Sequence, residues 1–122
     1  MNALQLAYLG DVVWETIIRY DLVLMKLNVR HLHSQCVKHV NAGAQSEILT
    51  WIAEILTERE TEIVRRGRNA HPKHTIPKNQ QADHYAASTG LEALFGYLYL
   101  SGQDKRIERI VQIIKERECQ HG

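Results

Sequence analysis

The sequence predicts an all-α protein of about six or seven helices, and three observations lead to that prediction. Apolar residues recur three and four positions apart in one stretch after another, the spacing that places them on one face of an α-helix. The 122 residues include only two prolines and seven glycines, so long segments carry no helix breaker. No stretch of any length alternates apolar and polar residues as a half-buried strand does.

The first predicted helix covers most of residues 3–25. Its apolar positions at helical spacing, which should face the core, are Leu6, Leu9, Val13, Ile17, Tyr20 and Leu24. The opposite and less apolar face carries, at successive steps of four residues, Ala7, Asp11, Glu15 and Arg19. Glu15 precedes Arg19 in the orientation that favours an ion pair across one helical turn.

The next three helices are predicted from capping residues as well as from apolar spacing. A second helix should begin after Asn28 and continue to Val40, and Asn41 is placed to cap a third. Thr57 and Glu60 have the spacing of a capping box, which starts a fourth, short helix that ends near residue 67.

One long loop separates the fourth helix from the last two. Residues 68–80 contain both prolines and no helical periodicity, and a loop of that length is usually functional or disordered. The fifth helix should span residues 83–100. Asp104 is placed to cap the sixth helix, whose apolar stripe consists of Ile107, Ile110, Val111, Ile113 and Ile114.

Length and composition describe one soluble domain, residues 1–122. The apolar runs stop short of the roughly 18 residues that a membrane span needs, and no secretory signal is visible. Cys36 and Cys119 form neither a disulfide framework nor a zinc motif, which is typical of a reducing compartment. We therefore expect a cytoplasmic protein that does not associate with membranes.

Positive charge is concentrated after the fourth helix, although the net charge of the chain is only +1. Residues 65–78 contain no acid, and arginine, lysine and asparagine side chains are suited to binding phosphodiester oxygens. The candidate RNA-binding residues are Arg65, Arg66, Arg68, Asn69, Lys73, Lys78 and Asn79. The alternative is a solvated segment whose arginines pair with Glu60 and Glu62.

Two predicted helices each carry one acid among apolar residues, with a glycine close by. Asp11 follows Gly10 in the first helix, and Glu92 precedes Gly96 by one turn in the fifth. Because glycine lets helix backbones approach closely, the two carboxylates could meet, and such a pair needs a cation between them. Ligation by oxygen alone favours magnesium. The alternative is two partly exposed acids that never meet.

Two further groups of polar residues share a helix face. One group recurs every third residue and consists of His33, Cys36 and His39. Three such positions drift around a helix and lack a fourth ligand, so ordinary helix surface is favoured over a zinc site. The other group shares the face of Glu92 and consists of Tyr85, Ser88 and Thr89. These residues either hydrogen-bond water at the site or satisfy one another in a packed core.

Four motifs resemble those of the ribonuclease III catalytic domain. LAYLGDVV, residues 6–13, is similar to the family block L-E-F-L-G-D, and STGLEALFGYLYL, residues 88–100, is similar to D-x-F-E-A-L-I-G-A-x-Y-L. RRGRNA (65–70) and TIPKN (75–79) resemble motifs of the short Mini-ribonuclease III branch, which lacks a double-stranded-RNA-binding domain. The motifs stand in the family's order, and the resemblance covers essentially the whole chain.

The resemblance implies an all-helical homodimer that cuts double-stranded RNA with magnesium and trims precursors of large-subunit (23S) ribosomal RNA. Asp11 takes the place of the family's catalytic aspartate and Glu92 that of its metal-binding glutamate, so both would be catalytic residues and metal ligands. A ribosomal protein is a possible accessory partner. Asp11 stands only ten residues from the start, which leaves open whether a lead-in segment is missing.

The chain departs from the family pattern at two carboxylate positions. Ala7 stands where the larger enzymes have a glutamate, and Thr89 stands where they have an aspartate. RNA phosphates and water would have to complete the metal shell. This loss keeps open a second hypothesis, a non-catalytic module that binds double-stranded RNA. A third, a helical metal phosphohydrolase for small molecules, has no histidine–aspartate pair at a plausible spacing to support it.

Overall fold

The computed structural model describes residues 1–25, 28–70 and 80–121. These residues form six α-helices and a short 3₁₀-helix. In chain order they are α1 (Ala3–Leu24), α2 (Val29–Val40), α3 (Ala42–Ile52), the 3₁₀-helix (Ala53–Ile55), α4 (Glu58–Arg68), α5 (Gln80–Leu100) and α6 (Asp104–His121). The described ranges contain no strand, and the prediction of an all-α bundle is confirmed.

Three helices begin at the capping residues that the sequence indicated. The side chains of Asn28 and Asn41 each accept a backbone N–H at 2.9 Å and cap α2 and α3. At the start of α4 the amide of Glu60 donates to Thr57 Oγ1 at 3.1 Å, and the amide of Thr57 donates to the Glu60 carboxylate at 2.8 Å. This reciprocal pair is the predicted capping box.

Two predicted helix boundaries differ from the structure. Helix α5 begins at residue 80, three residues earlier than predicted. Asp104 is the first residue of α6 rather than its cap, and the carbonyl of Gln103 accepts the N–H of Ile107. Within the first turn, the negative charge of Asp104 still interacts favourably with the helix dipole.

Helix α5 lies at the centre of the bundle, with α1, α3, α4 and α6 packed around it. Five of its side chains are fully buried: Leu91, Ala93, Leu94, Phe95 and Leu98. The ring of Trp14 on α1 packs 5.2 Å from the ring of Phe95, and Ile110 and Ile114 of α6 close the core on another side. None of the described helices is long and apolar enough to cross a membrane.

The buried face of α1 differs from the predicted one. Its buried residues are Leu6, Ala7, Gly10, Trp14, Ile18 and Leu22. Tyr20 and Leu24, which were expected to face the core, are exposed. Because the part of α1 that meets α5 is built on the small residues Ala7 and Gly10, hydropathy alone underestimates how deeply this face is buried.

A buried ion pair joins α4 to α6. The Glu60 side chain is 4% exposed and lies 2.8 Å from Arg106, which also donates to the backbone carbonyl of Ile55 at 2.7 Å. The hydrogen bond from Arg106 holds the pKa of Glu60 below its ordinary value, although burial acts in the opposite direction. The predicted alternative in which Glu60 pairs with the arginines of residues 65–68 is therefore wrong.

Candidate active site

Helices α1 and α5 cross in backbone contact at two glycines. A Cβ atom on Gly10 would overlap the carbonyl oxygen of Glu92 and lie 2.8 Å from the amide nitrogen of Gly96. A Cβ atom on Gly96 would overlap the carbonyl oxygen of Leu6. Only residues without a side chain permit this approach, and the crossing places Asp11, the neighbour of Gly10, beside Glu92.

The carboxyl groups of Asp11 and Glu92 interact directly. Asp11 is exposed and Glu92 is half-buried. The pKa of Glu92 is raised to about 8. Burial is the largest cause, and the hydrogen bond and the negative charge of Asp11 add to it. Two carboxylates this close are stable together only when they share a proton or a cation. The structure thus brings together the two acids that the sequence singled out.

The pair has the chemistry of a divalent-cation site. Carboxylate oxygens are the hard ligands that magnesium prefers, and a cation bound by both would offset the mutual repulsion of Asp11 and Glu92. In the ranges that the structure describes, no group of three or more His, Cys, Asp or Glu side chains is placed to hold a metal ion. Of the described residues, Asp11 and Glu92 would be the ligands, with water and substrate oxygens completing the shell.

The two positions that lack a family carboxylate are both buried. Ala7 packs with Leu6, Ile63 and Ala93 in the core between α1, α4 and α5. The hydroxyl of Thr89 donates to the backbone carbonyl of its own helix one turn earlier, at 3.1 Å. A carboxylate at either position would have to be buried as well, so the local packing matches a site with two acids.

Ser88 links Glu92 to a residue that the sequence analysis missed. The Ser88 hydroxyl donates to Oε1 of Gln45 on α3, and its hydrogen bond with Glu92 opposes the rise in the pKa of Glu92. Gln45 precedes the buried Ile48 by three residues, so it lies on the apolar face of α3. A glutamine at such a position is the signal that could have identified it.

The last turn of α4 carries three of the predicted RNA-binding arginines. Arg65 and Arg66 are exposed, and both bind Glu62, with closest distances of 2.6 and 3.2 Å. Their hydrogen bonds lower the pKa of Glu62 to about 2. The alternative of pairing with Glu62 is thus observed. Exposed pairs of this kind are weak and leave the arginines able to exchange a carboxylate for a phosphate.

Helix α4 approaches α5 closely next to Glu92. A Cβ atom on Gly67 would lie 2.8 Å from the Cα of Gly90, and a Cβ atom on Gly90 would lie 3.0 Å from Cγ of Arg68. The basic end of α4 therefore lies against α5 two residues from Glu92, and the exposed Asn69 ends that helix. Lys73, Lys78 and Asn79 lie outside the described residues.

Two minor expectations can also be compared with the structure. Arg19 and Glu15 form the predicted ion pair, at 2.7 Å. Cys36 is buried in the main core rather than on the helix surface, because this position of α2 faces α1 near Arg19 and Leu22. The side chains of His33 and His39 lie outside what the structure describes.

Comparison with known proteins defines the class of this protein. The family model of the ribonuclease III domain matches residues 4–103. The curated Mini-ribonuclease 3 of Symbiobacterium thermophilum is 46% identical over 110 residues, which cover 89% of this chain and 84% of that protein. That of Staphylococcus aureus is 37% identical over 124 residues, which cover 96% of this chain and 92% of that protein.

A solved structure has the same fold. The crystal structure of protein FN1578 from Fusobacterium nucleatum superposes with a TM-score of 0.85 at 32% identity, covering 96% of this chain and 93% of that one. Fold and sequence agree that the molecule is an endoribonuclease of the ribonuclease III type, a class that acts on double-stranded RNA. Within that class, the chain belongs to the Mini-ribonuclease III family. Membership favours the nuclease over the non-catalytic RNA-binding module.

Proposed function

We propose that this protein is a magnesium-dependent endoribonuclease that cleaves double-stranded segments of 23S ribosomal RNA precursors, with Asp11 and Glu92 as catalytic residues and metal ligands. The observation that carries the proposal is the contact between these two carboxyl groups at the Gly10–Gly96 crossing. Among the described residues, no ion pair with a basic side chain offsets their repulsion. A purely structural role would therefore leave the pair destabilising.

The two carboxylates have different surroundings, which suits different tasks. Asp11 is exposed and can reach a substrate, whereas Glu92 is half-buried and held from behind by Ser88. When bound between them, magnesium would supply Lewis-acid stabilisation of the charge that develops on the phosphate. The neighbouring basic residues would hold the duplex by its phosphates.

The basic end of α4 supports binding of a duplex without reading its sequence. Arg68 contacts α5 at Gly90, two residues from Glu92, and Arg65, Arg66 and Asn69 lie on or next to the same last turn of α4. Lys73, Lys78 and Asn79 would extend this surface. A-form RNA is recognised mainly through its shape, phosphates and 2′-hydroxyls, so these groups are sufficient.

An exposed apolar stripe on α1 supports a homodimer. Leu4, Tyr8 and Val12 follow one another at steps of four residues and are 43%, 84% and 59% exposed. This stripe adjoins Asp11 in the sequence, so a second copy packed on it would place two candidate sites in one assembly. Two sites can cut the two strands of one duplex.

The natural substrate that we propose rests on membership in the Mini-ribonuclease III branch. An accessory ribosomal protein bound to the precursor would help to present the base-paired ends of 23S ribosomal RNA to this small domain.

The proposal is tested by cleavage of a labelled duplex that carries the paired ends of a 23S precursor. Wild-type protein, Asp11→Asn and Glu92→Gln are compared with magnesium and with EDTA. Asp104→Asn on α6 is the matched control for the loss of one carboxylate. We expect magnesium-dependent fragments from the wild type and from Asp104→Asn only. Wild-type rates in Asp11→Asn would contradict the site, and no cleavage by any protein would contradict the activity.

A further inference from the structure

Gln45 and Ser88 form a buried polar pair next to Glu92, and neither residue is one of the proposed metal ligands. Gln45 of α3 is 1% exposed and Ser88 of α5 is 8% exposed. The Ser88 hydroxyl contacts the side-chain oxygen of Gln45 and is also a hydrogen-bond partner of Glu92, four residues further along α5. The pair therefore connects α3 to the candidate active site.

Stability alone does not favour glutamine at position 45. Its Nε2 is buried and has no hydrogen-bond partner among the described residues. An unsatisfied buried amide is unfavourable, and an apolar residue would fill the same space among Ile48, Leu49 and Ile52 without that penalty. The amide is better explained by what it does to Ser88.

The Ser88 hydroxyl has one proton and two acceptors, Oε1 of Gln45 and the Glu92 carboxylate. A half-turn of the Gln45 amide presents Nε2 to the Ser88 oxygen in place of Oε1. Nε2 then donates to Ser88, and the proton of Ser88 is directed to Glu92. This orientation frees the Ser88 proton for Glu92, and Oε1 replaces Nε2 as the amide atom without a partner among the described residues.

We propose that Gln45 and Ser88 form a relay of positioning residues, in which Gln45 Nε2 donates to Ser88 and Ser88 donates to Glu92, holding that carboxylate in place to bind the metal ion. This inference rests on the proposed function, because it takes Glu92 to be a metal ligand. Neither relay residue touches the substrate or the ion. Partners of this kind typically alter metal affinity by 10-fold to 100-fold when they are removed.

The test measures metal binding directly, by calorimetric titration of the full chain with Mn²⁺ and with Mg²⁺. We expect Ser88→Ala and Gln45→Met each to weaken binding by roughly tenfold or more. The double variant should bind no more weakly than the weaker single variant, because both changes break one chain of hydrogen bonds. Ser88→Thr, which keeps the hydroxyl, should restore binding.

Ser101→Ala is the matched control, because it removes a hydroxyl just after the end of α5 that donates to backbone carbonyls of that helix and accepts from Gln103, and that has no bond to Gln45 or Glu92. Its metal affinity should equal that of the wild type. Thermal unfolding establishes that each variant is folded. If Ser88→Ala does not fold, Ser88→Cys keeps the volume and replaces the hydroxyl by a weak donor, and it should show the same loss.

Unchanged metal affinity in folded Ser88→Ala or Ser88→Cys would overturn the relay, as would additive losses in the double variant. Failure of the proposed function has a different signature. If the wild type binds the ion but cuts no duplex, the nuclease proposal fails while the titrations still decide the relay. If the wild type binds neither ion, both proposals fall.

Discussion

At the scale of single residues, the Glu92 carboxyl group is placed where its ionised form is unfavourable. Burial and the adjacent Asp11 raise its pKa to about 8. An acid whose folded pKa exceeds its unfolded pKa stabilises the fold fully only below the unfolded value, and this contribution is lost as the pH rises to the folded value. The candidate site therefore reduces stability at neutral pH, as expected of residues kept for function.

Replacing Glu92 by glutamine should consequently stabilise the metal-free protein. In EDTA near pH ~7.5, we expect the melting temperature of Glu92→Gln to exceed that of the wild type by about 4 °C or more, the shift that roughly 1 kcal/mol produces. Magnesium should raise the melting temperature of the wild type and not that of the variant. A less stable variant in EDTA would show that Glu92 has a structural role.

The Glu60–Arg106 pair has the opposite effect on stability. Because Glu60 is buried, removing its partner leaves an uncompensated charge, and we expect Arg106→Ala to reduce the free energy of unfolding by about 3 kcal/mol. Arg117→Ala, an exposed position on the same helix, is the control and should change little. Urea unfolding at neutral pH measures both.

The same pair predicts a dependence on acid. The pKa of Glu60 is lowered by folding, so its contribution is present above its ordinary value of 4.5 and is lost as the pH falls through the folded value. Between pH ~7 and pH ~3, the difference in unfolding free energy between wild type and Arg106→Ala should narrow. A constant difference over this range would mean that the carboxylate is not the partner that matters.

At the scale of helices, the α1–α5 crossing depends on the absence of two side chains. Gly10→Ala would gain about 1 kcal/mol of helix propensity, but its methyl group would force the helices apart at a cost of about 3 kcal/mol or more. Gly43→Ala is the matched control, because its methyl group would meet only an ordinary contact at 3.4 Å. We expect the first change to destabilise the protein and the second to be neutral or stabilising. The melting temperatures of the two variants, compared with that of the wild type, measure these effects.

The position of Glu62 on α4 should moderate RNA binding. Glu62→Gln would release Arg65 and Arg66, and we expect it to tighten duplex binding by up to about tenfold at low salt, with the gain lost at high salt. Affinities are measured by fluorescence anisotropy in an Asp11→Asn background, so that the RNA stays intact. Glu58→Gln, an exposed change on the same helix, is the control. Unchanged or weaker binding in Glu62→Gln would argue against arginine contacts with phosphate.

At the scale of the whole molecule, the exposed stripe on α1 predicts the oligomeric state. Tyr8→Glu should convert a homodimer into a monomer, because it introduces a charge into a buried apolar interface. Tyr99→Glu makes the same change at an exposed tyrosine of α5 and should leave the dimer intact. Sedimentation equilibrium distinguishes these results. A wild-type monomer at micromolar concentration would contradict the homodimer.

The sequence by itself determined where most of the helices lie and which two acids, Asp11 and Glu92, are candidates for the active site. Local chemistry sets where α2, α3 and α4 begin, because each capping hydrogen bond joins residues three positions apart. The capping residues are Asn28, Asn41 and the Thr57–Glu60 box. The Gly10–Asp11 and Glu92–Gly96 pairs were visible for the same reason, since an acid and a glycine are unusual in apolar helices. The motifs that these residues form also indicated the ribonuclease III family.

Only the tertiary structure decided which faces meet. Ser88 bonds to Gln45 across a separation of 43 positions in the sequence, and Arg106 bonds to Glu60 across a separation of 46. No local sequence pattern predicts pairs so far apart. The buried face of α1 was predicted wrongly because Ala7 and Gly10 are buried for their small size rather than for their hydrophobicity. The contact between Asp11 and Glu92 follows from that same close packing, so it too depended on the fold.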